Sequence, residues 1–296
     1  MNLYDAHNHL HGAWLAPHRD RVLADLAATG VRRAVVNGTD EADWPDVAAL
    51  CAAPLSAPPA DRPQQSADSV RLIPSFGLHP WDAGNRTPAW RERLVAALDA
   101  HPHAGVGEIG LDRWMLDRAR PGDPRLAGLR RAPLDEQREV FLWQFALAAE
   151  RDRAATIHCL DACDPLAAAL AGAPRPARGF LLHAYAGPAG SVKRFADLGA
   201  YFSFNGSFLD PRRAARLQPV YAAIPADRLL VETDAPAMPL PRDDATHTLP
   251  PASDGSPVNH PANLAAAYAG LARWRGVAVD ALAAQVERNF LRLFGP

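Results

Sequence analysis

The feature that most narrows what this chain can fold into is an alternation repeated along its length: a short apolar run, a turn, then a longer segment with helical spacing. The runs are LYDAHNH (3 to 9), RRAVVNGT (32 to 39), RLIPSFGLH (71 to 79), AGVGEIGLD (104 to 112), AATIHC (154 to 159), GFLLHAY (179 to 185), AYFSFNG (200 to 206) and RLLVETDAP (228 to 236). Helical spacing marks TPAWRERLVAALDAH, LDEQREVFLWQFALAAERD and GSVKRFADLG between them, and HPANLAAAYAGLARWRG and VDALAAQVERNFLRLFG after the last. A helix that follows each strand returns the chain to the same end of the sheet, so the strands run parallel. Eight such units predict an α/β fold, a TIM-type (β/α)8 barrel, with residues 1–296 forming a single domain. An open doubly wound sheet satisfies the same alternation, and the residues at the strand ends have to decide between the two.

Local signals refine this outline. Thr87 followed by Pro88 predicts a helix start, a capping residue ahead of a proline tolerated in the first turn. Residues 51 to 69 and 113 to 137, both rich in proline, interrupt the rhythm, as does MPLPRDDATHTLPPASDGSPVNHP after the last strand, and these read as surface excursions.

Bulk composition excludes several classes. With 48% hydrophobic and 22% charged residues the chain resembles a soluble globular enzyme. The formal net charge of −2 offers no global attraction for a polyanion, so contact with nucleic acid has to come from a local arginine patch, Lys193 being the sole lysine. Three cysteines, Cys51, Cys159 and Cys163, form no disulfide framework and point to reduced thiols and a cytoplasmic location. No targeting pattern opens the chain, and no window approaches the roughly 20 apolar residues of a membrane span.

The strand ends carry the chemistry. Residues two apart in a strand face the same way, so HNH places His7 and His9 in one row, able to grip one cation. Alone, such a pair equally suits solvent-facing histidines. Glu108 sits in an apolar, glycine-flanked run, where an unpaired carboxylate is expensive to bury and an internal salt bridge is the simpler explanation. His158 and His183 each follow an apolar run, and Asp234 closes LLVETDAP. The coincidence is positional: His7, His9, Glu108, His158, His183 and Asp234 all fall at carboxyl ends of strands, the face on which barrel active sites are built. Imidazoles with carboxylates suit zinc, manganese, magnesium or iron better than calcium. Six such groups fit two divalent ions about 3.5 to 4 Å apart, with Glu108 as the bridging ligand. Lys193 falls in a helix, so a modified lysine cannot take that place.

Taken together, DAHNHL, SFGLHPWD, VGEIGLD, IHCLDA, LLHAYAG, YFSFNG, LLVETDAP and NFLRLFG resemble, in order and end to end, the TatD family of metal-dependent hydrolases, which includes deoxyribonucleases. The resemblance implies a TIM barrel, two metal ions and the same six ligands, and makes His79 and Asp112 substrate-binding or supporting groups. The chain departs from the family in three places: Leu160 stands where the nucleases commonly carry an arginine (HCLDA for HCRDA), HAY replaces the HCF-type motif, and GSPVNHPAN lacks the usual arginine before its Asn-x-Pro.

The expected activity is that of a TatD-like phosphodiesterase or deoxyribonuclease using a two-metal-activated water, with Asp234 as general base and Glu108 bridging. DNA ends or a small nucleotide are the expected substrates, with no membrane and no obligate protein partner. Arg113, with Arg118, Arg120, Arg125, Arg130 and Arg131, either supplies the missing phosphate contacts or forms a solvated surface loop. Two other readings compete: an amidohydrolase or lactonase acting on a small molecule, and a metal-binding protein that has lost turnover.

Overall fold

The computed structural model describes residues 1–52 and 70–296, so nearly all of the excursion at 51 to 69 lies outside the described residues. In chain order the strands and helices are β1 (Leu3–Asn8), α1 (Arg19–Ala28), β2 (Val31–Asn37), α2 (Trp44–Ala52), β3 (Arg71–Phe76), α3 (Trp90–Ala100), β4 (Gly105–Asp112) and α4 (Trp114–Asp117). They continue with α5 (Leu134–Glu150), β5 (Ala155–Leu160), α6 (Cys163–Ala171), β6 (Phe180–Leu182), α7 (Val192–Asp197), β7 (Ala200–Asn205), α8 (Pro211–Ala223), β8 (Leu229–Glu232), α9 (Leu264–Arg275) and α10 (Val279–Phe294).

The eight strands are hydrogen-bonded in chain order, each neighbour parallel to the last. An open doubly wound sheet reverses its strand order at a switch point, so this order selects the barrel. The seam between first and last strands is stitched just beyond β8: Asp234 N donates to His7 O at 2.9 Å and His9 N to Ala235 O at 2.7 Å. Buried Asp5 reinforces it, accepting from Thr233 N at 3.0 Å and from Thr233 Oγ1 at 2.7 Å.

Every residue of β1, β4, β7 and β8 is buried, as expected of parallel strands covered on both faces. The helices bury one stripe each. In α10, Leu282, Val286, Phe290 and Leu293 recur at helical spacing and face the barrel. Each such side chain contributes about 1.5 to 3 kcal/mol on burial, so the C-terminal helix is held by packing rather than by intrinsic propensity.

β3, β6 and β8 end at Phe76, Leu182 and Glu232, three or more residues short of their apolar runs. The chain leaves β6 and β8 through Ala184 (φ 42°) and Asp234 (φ 53°), left-handed conformations that turn the backbone at His183 and Asp234. The expected cap at Thr87 also differs. α3 begins at Trp90, while Thr87 donates through its N (2.8 Å) and Oγ1 (2.5 Å) to Glu41, which ties the loop after β3 to that after β2. Residues 113 to 137 contain α4 and a small apolar cluster of Met115, Ala119 and Leu126 packed against Trp81 and Trp114. Among the described residues no helix is long and apolar enough to cross a membrane.

Candidate metal centre

Five strands, β1, β4, β5, β6 and β8, deliver the six expected ligands to one place. Glu108, in β4, sits at its centre with its two oxygens facing different ways. Oε2 lies 3.4 Å from His7 Nε2 and 3.3 Å from His9 Nε2, while Oε1 lies 3.0 Å from His158 Nδ1 and 2.8 Å from His183 Nε2. Asp234 Oδ1 stands 3.4 Å from both His7 Nε2 and His9 Nε2. Three groups of donor atoms, each within 4.8 Å of one another, are close enough to hold a metal ion: His7, His9 and Glu108; His7, His183 and Asp234; His79, Glu108 and His158.

The orientation of each imidazole decides which nitrogen is free to ligate. His9 Nδ1 donates to the Asn37 carbonyl at 2.8 Å, leaving Nε2 turned inward. His158 donates outward through Nε2 to Asp112 Oδ2 at 3.0 Å, leaving Nδ1 inward. His183 Nδ1 lies 3.6 Å from Oε1 of Glu232, a carboxylate that accepts from Ser203 Oγ at Oε2 and from Asn205 Nδ2 at Oε1, and His183 Nε2 points at Glu108. Carboxylate or carbonyl partners on the outer nitrogen are what fixes the tautomer of metal-binding histidines. The inward nitrogens of His7 and His9 face each other at 3.1 Å, an arrangement that a shared proton or a cation must reconcile. The donor set and its geometry fit divalent metal.

His79 differs. Its Nδ1 accepts from Trp81 N at 3.2 Å, and burial lowers its pKa against the pull of Glu108, so the neutral ring carries its proton on Nε2, 3.3 Å from Glu108 Oε1. That nitrogen has a hydrogen to donate and no lone pair to offer a metal. His79 therefore belongs to the site as a donor.

Charge is finely opposed here. Burial would raise Glu108, yet His183, His79 and His7 hold it well below the usual carboxylate range. Asp234 is also lowered, with burial opposed by His7 and His9. Burial would lower His9 and His158, but Asp234 and Glu108 draw the first up to about 10, and Asp112 and Glu108 draw the second up to about 9. A cage that binds protons this tightly demands positive charge, which divalent ions supply in place of protons.

Glycine makes the approach of β4 and β5 possible. Gly110 (φ 145°) pairs with His158, and a Cβ on it would fall 2.0 Å from the His158 carbonyl oxygen. The glycines around Glu108 are thus a packing requirement of the strand that carries it.

The remaining expected residues divide. Asp112 is fully buried and its carboxylate is engaged, accepting from Met115 N (2.8 Å) and Trp81 Nε1 (2.6 Å) as well as facing His158. Arg113 is exposed on the rim and pairs with Asp117 at 2.7 Å. Arg118 pairs with Asp161 at 3.1 Å, Arg125 with Asp123 at 2.8 Å and Arg130 with Glu136 at 2.6 Å, while Arg131 donates to the carbonyls of Met115, Ala119 and Arg120. Arg113, Arg118, Arg125 and Arg130 are thus each matched by a carboxylate, while Arg131 is held by carbonyls alone. Lys193 is exposed and pairs with Asp197. Sequence reasoning did not single out Trp81 or the support that Glu232 gives His183; the only signal for Glu232 was its position two residues before Asp234 in a buried strand.

Comparison with known proteins reaches the same place. The family model described as TatD related DNase matches residues 4–295. The chain belongs to the TatD-related DNase family. Among TatD relatives, one from Klebsiella pneumoniae (strain 342), named 3′-5′ ssDNA/RNA exonuclease TatD, is 31% identical over 294 residues, covering 99% of this chain and 98% of its own. The crystal structure of YjjV, a TatD homologue from Escherichia coli K12, superposes with a TM-score of 0.77 at 27% identity, covering 99% of this chain and 98% of that one. A TatD family hydrolase from Entamoeba histolytica shares the fold at a TM-score of 0.77 and 14% identity, over 100% of this chain and 99% of its own. As a TatD protein the chain is a metal-dependent hydrolase, and its His, Asp and Glu clusters are those that can hold the metal. Leu160 lines a cavity of about 790 Å³ with Arg113, Arg118 and Arg216. Asn259, in the motif that lacks its arginine, donates to Thr233 O at 2.8 Å and locks the exit from β8.

Proposed function

We propose that the protein hydrolyses phosphodiester bonds at the 3′ ends of single-stranded nucleic acid, with His7, His9 and Asp234 holding one divalent ion, His158 and His183 a second, and Glu108 both. The observation that carries this is the division of labour in one carboxylate: Glu108 turns Oε2 to His7 and His9 and Oε1 to His158 and His183. Two ions held so, whether zinc, manganese, magnesium or iron, supply Lewis acidity that acidifies water and offsets charge on the phosphoryl group.

The side chains do the rest. Asp234, lowered by His7 and His9 and so ionised, takes the proton of the attacking water on its carboxylate. His79 donates from Nε2 toward a phosphoryl oxygen, the role left to it by its tautomer. Asp112 and Glu232 act through His158 and His183, holding their rings rather than touching substrate. Arg113, on the rim, contacts the strand as it enters. Relatives named for ssDNA and RNA support this choice of substrate, and three unpaired cysteines suit the cytoplasm.

A 5′-labelled single-stranded DNA incubated with protein and Mg²⁺ or Mn²⁺ tests the reading, alongside lactone and amide substrates. Stepwise shortening from the 3′ end is expected. Turnover of a lactone or amide with the DNA untouched would replace it with a reading in which the same cage attacks carbon, consistent with a rim whose arginines are already paired.

A further inference from the structure

At the opposite end of the barrel from Glu108, where β3, β4 and β5 begin, lies a cavity of about 550 Å³. Its walls carry four guanidinium groups, those of Arg71, Arg151, Arg153 and Arg178, against a single acidic side chain, that of Asp152. The chain as a whole is slightly acidic, so this concentration is local.

Two of the four are partly satisfied by acids. Arg151 pairs with Asp99 at 2.6 Å and Arg178 reaches Asp152 at 3.5 Å. Even so, Arg178 Nε is buried without an acceptor among the described residues. The Arg71 guanidinium has one acceptor, the Pro296 oxygen at 3.0 Å, and the Arg153 guanidinium has no hydrogen-bond or ion-pair partner among the described residues. Burial and then the charges of Arg151 and Arg178 lower Arg153, and burial and then Arg71 lower the neighbouring Arg33. Like charges crowded into a concave, partly apolar site repel one another and focus a positive potential, and an anion relieves both.

We propose that this cavity binds a nucleoside diphosphate, its phosphoryl groups held by Arg71, Arg153 and Arg178 and its base against Phe294 and the adjoining apolar wall. Guanidinium forks match phosphoryl oxygens in pairs, which a single lysine cannot do. The volume lies in the range of about 300 to 1,000 Å³ usual for small-ligand sites. The cavity is separate from the metal centre, so this inference does not rest on the phosphodiesterase reading.

Calorimetric titration of the metal-loaded protein with ADP and with inorganic pyrophosphate tests it, using the wild type, Arg153→Ala and Arg71→Ala. Arg153 loses no internal bond when truncated and Arg71 is exposed, so both variants should melt with the wild type. Expected are one ADP site per chain, affinity at least tenfold weaker in either variant, weaker pyrophosphate binding than ADP binding, and an unchanged rate of DNA cleavage in Arg153→Ala. Absence of binding, or equal ADP affinity in all three proteins as binding at the metal centre would give, overturns the site. Equal affinity for pyrophosphate and ADP overturns the nucleoside assignment.

Discussion

Asp112 Oδ2 stands 3.0 Å from His158 Nε2, on the far side of the imidazole from Glu108. The same oxygen accepts from Trp81 Nε1 at 2.6 Å, so the carboxylate is clamped before it clamps the ring. Asp112→Asn should therefore weaken binding of one metal ion by about 10- to 100-fold, the usual cost of losing such an outer partner. Metal titration followed by calorimetry checks this, with the DNA cleavage rate falling at limiting metal and recovering at saturation. An unchanged metal affinity would mean that His158 needs no such support.

Leu160 stands where the resemblance to the TatD nucleases leads one to expect an arginine. It lines a cavity at the end of β5 with Arg113, Arg118 and Arg216, of which the first two are paired with Asp117 and Asp161 and the third donates to Ala186 O at 2.7 Å. Leu160→Arg should raise kcat/KM for single-stranded DNA several-fold, mostly through KM, and steepen its dependence on salt. Steady-state kinetics at two salt concentrations read both effects. If KM does not move, the strand does not pass over the end of β5.

Asp82 gives a pH dependence of stability. Burial, then Asp40, Asp43 and Glu108, raise its pKa to about 7. A raised carboxyl pKa means that the folded state holds the proton more tightly than the unfolded one, so its contribution is intact below about pH 4 and is lost as pH rises toward 7. Asp82→Asn, which cannot ionise, should stabilise the protein by up to about 4 kcal/mol at pH 8 and by nothing measurable near pH 4. Urea unfolding at the two pH values reads the difference; an equal effect at both would place the cause in packing instead.

Much of this architecture is written in the sequence because the apolar runs are largely buried, β1, β4, β6, β7 and β8 throughout, and several are bounded by a residue that cannot belong to a core by itself. His7 and His9 on one row, Glu108 between glycines and Asp234 at a strand end come together in space because parallel strands end on one face. What periodicity does not show is which nitrogen of a histidine is spoken for. His79, at the end of the run containing β3, reads like His158 in the chain, yet a backbone N–H from Trp81 turns it into a donor. Asp112 reads as a residue at the open mouth, yet the indole of Trp81 and the start of α4 cover it, and that cover is formed by an excursion whose fold leaves little trace in a proline- and arginine-rich stretch. The supposed cap at Thr87 failed for a similar reason, since Glu41, distant in sequence, competes for its hydroxyl.

Elemental analysis of the protein purified without chelators, set beside the same analysis of Glu108→Gln, bears most directly on the bridging carboxylate. The wild type should carry two divalent ions per chain and shorten single-stranded DNA, and the variant, with the charge facing both histidine pairs removed, should lose metal and cleavage together. A Glu108→Gln protein that keeps its full complement of metal and cleaves DNA at the wild-type rate would contradict the account.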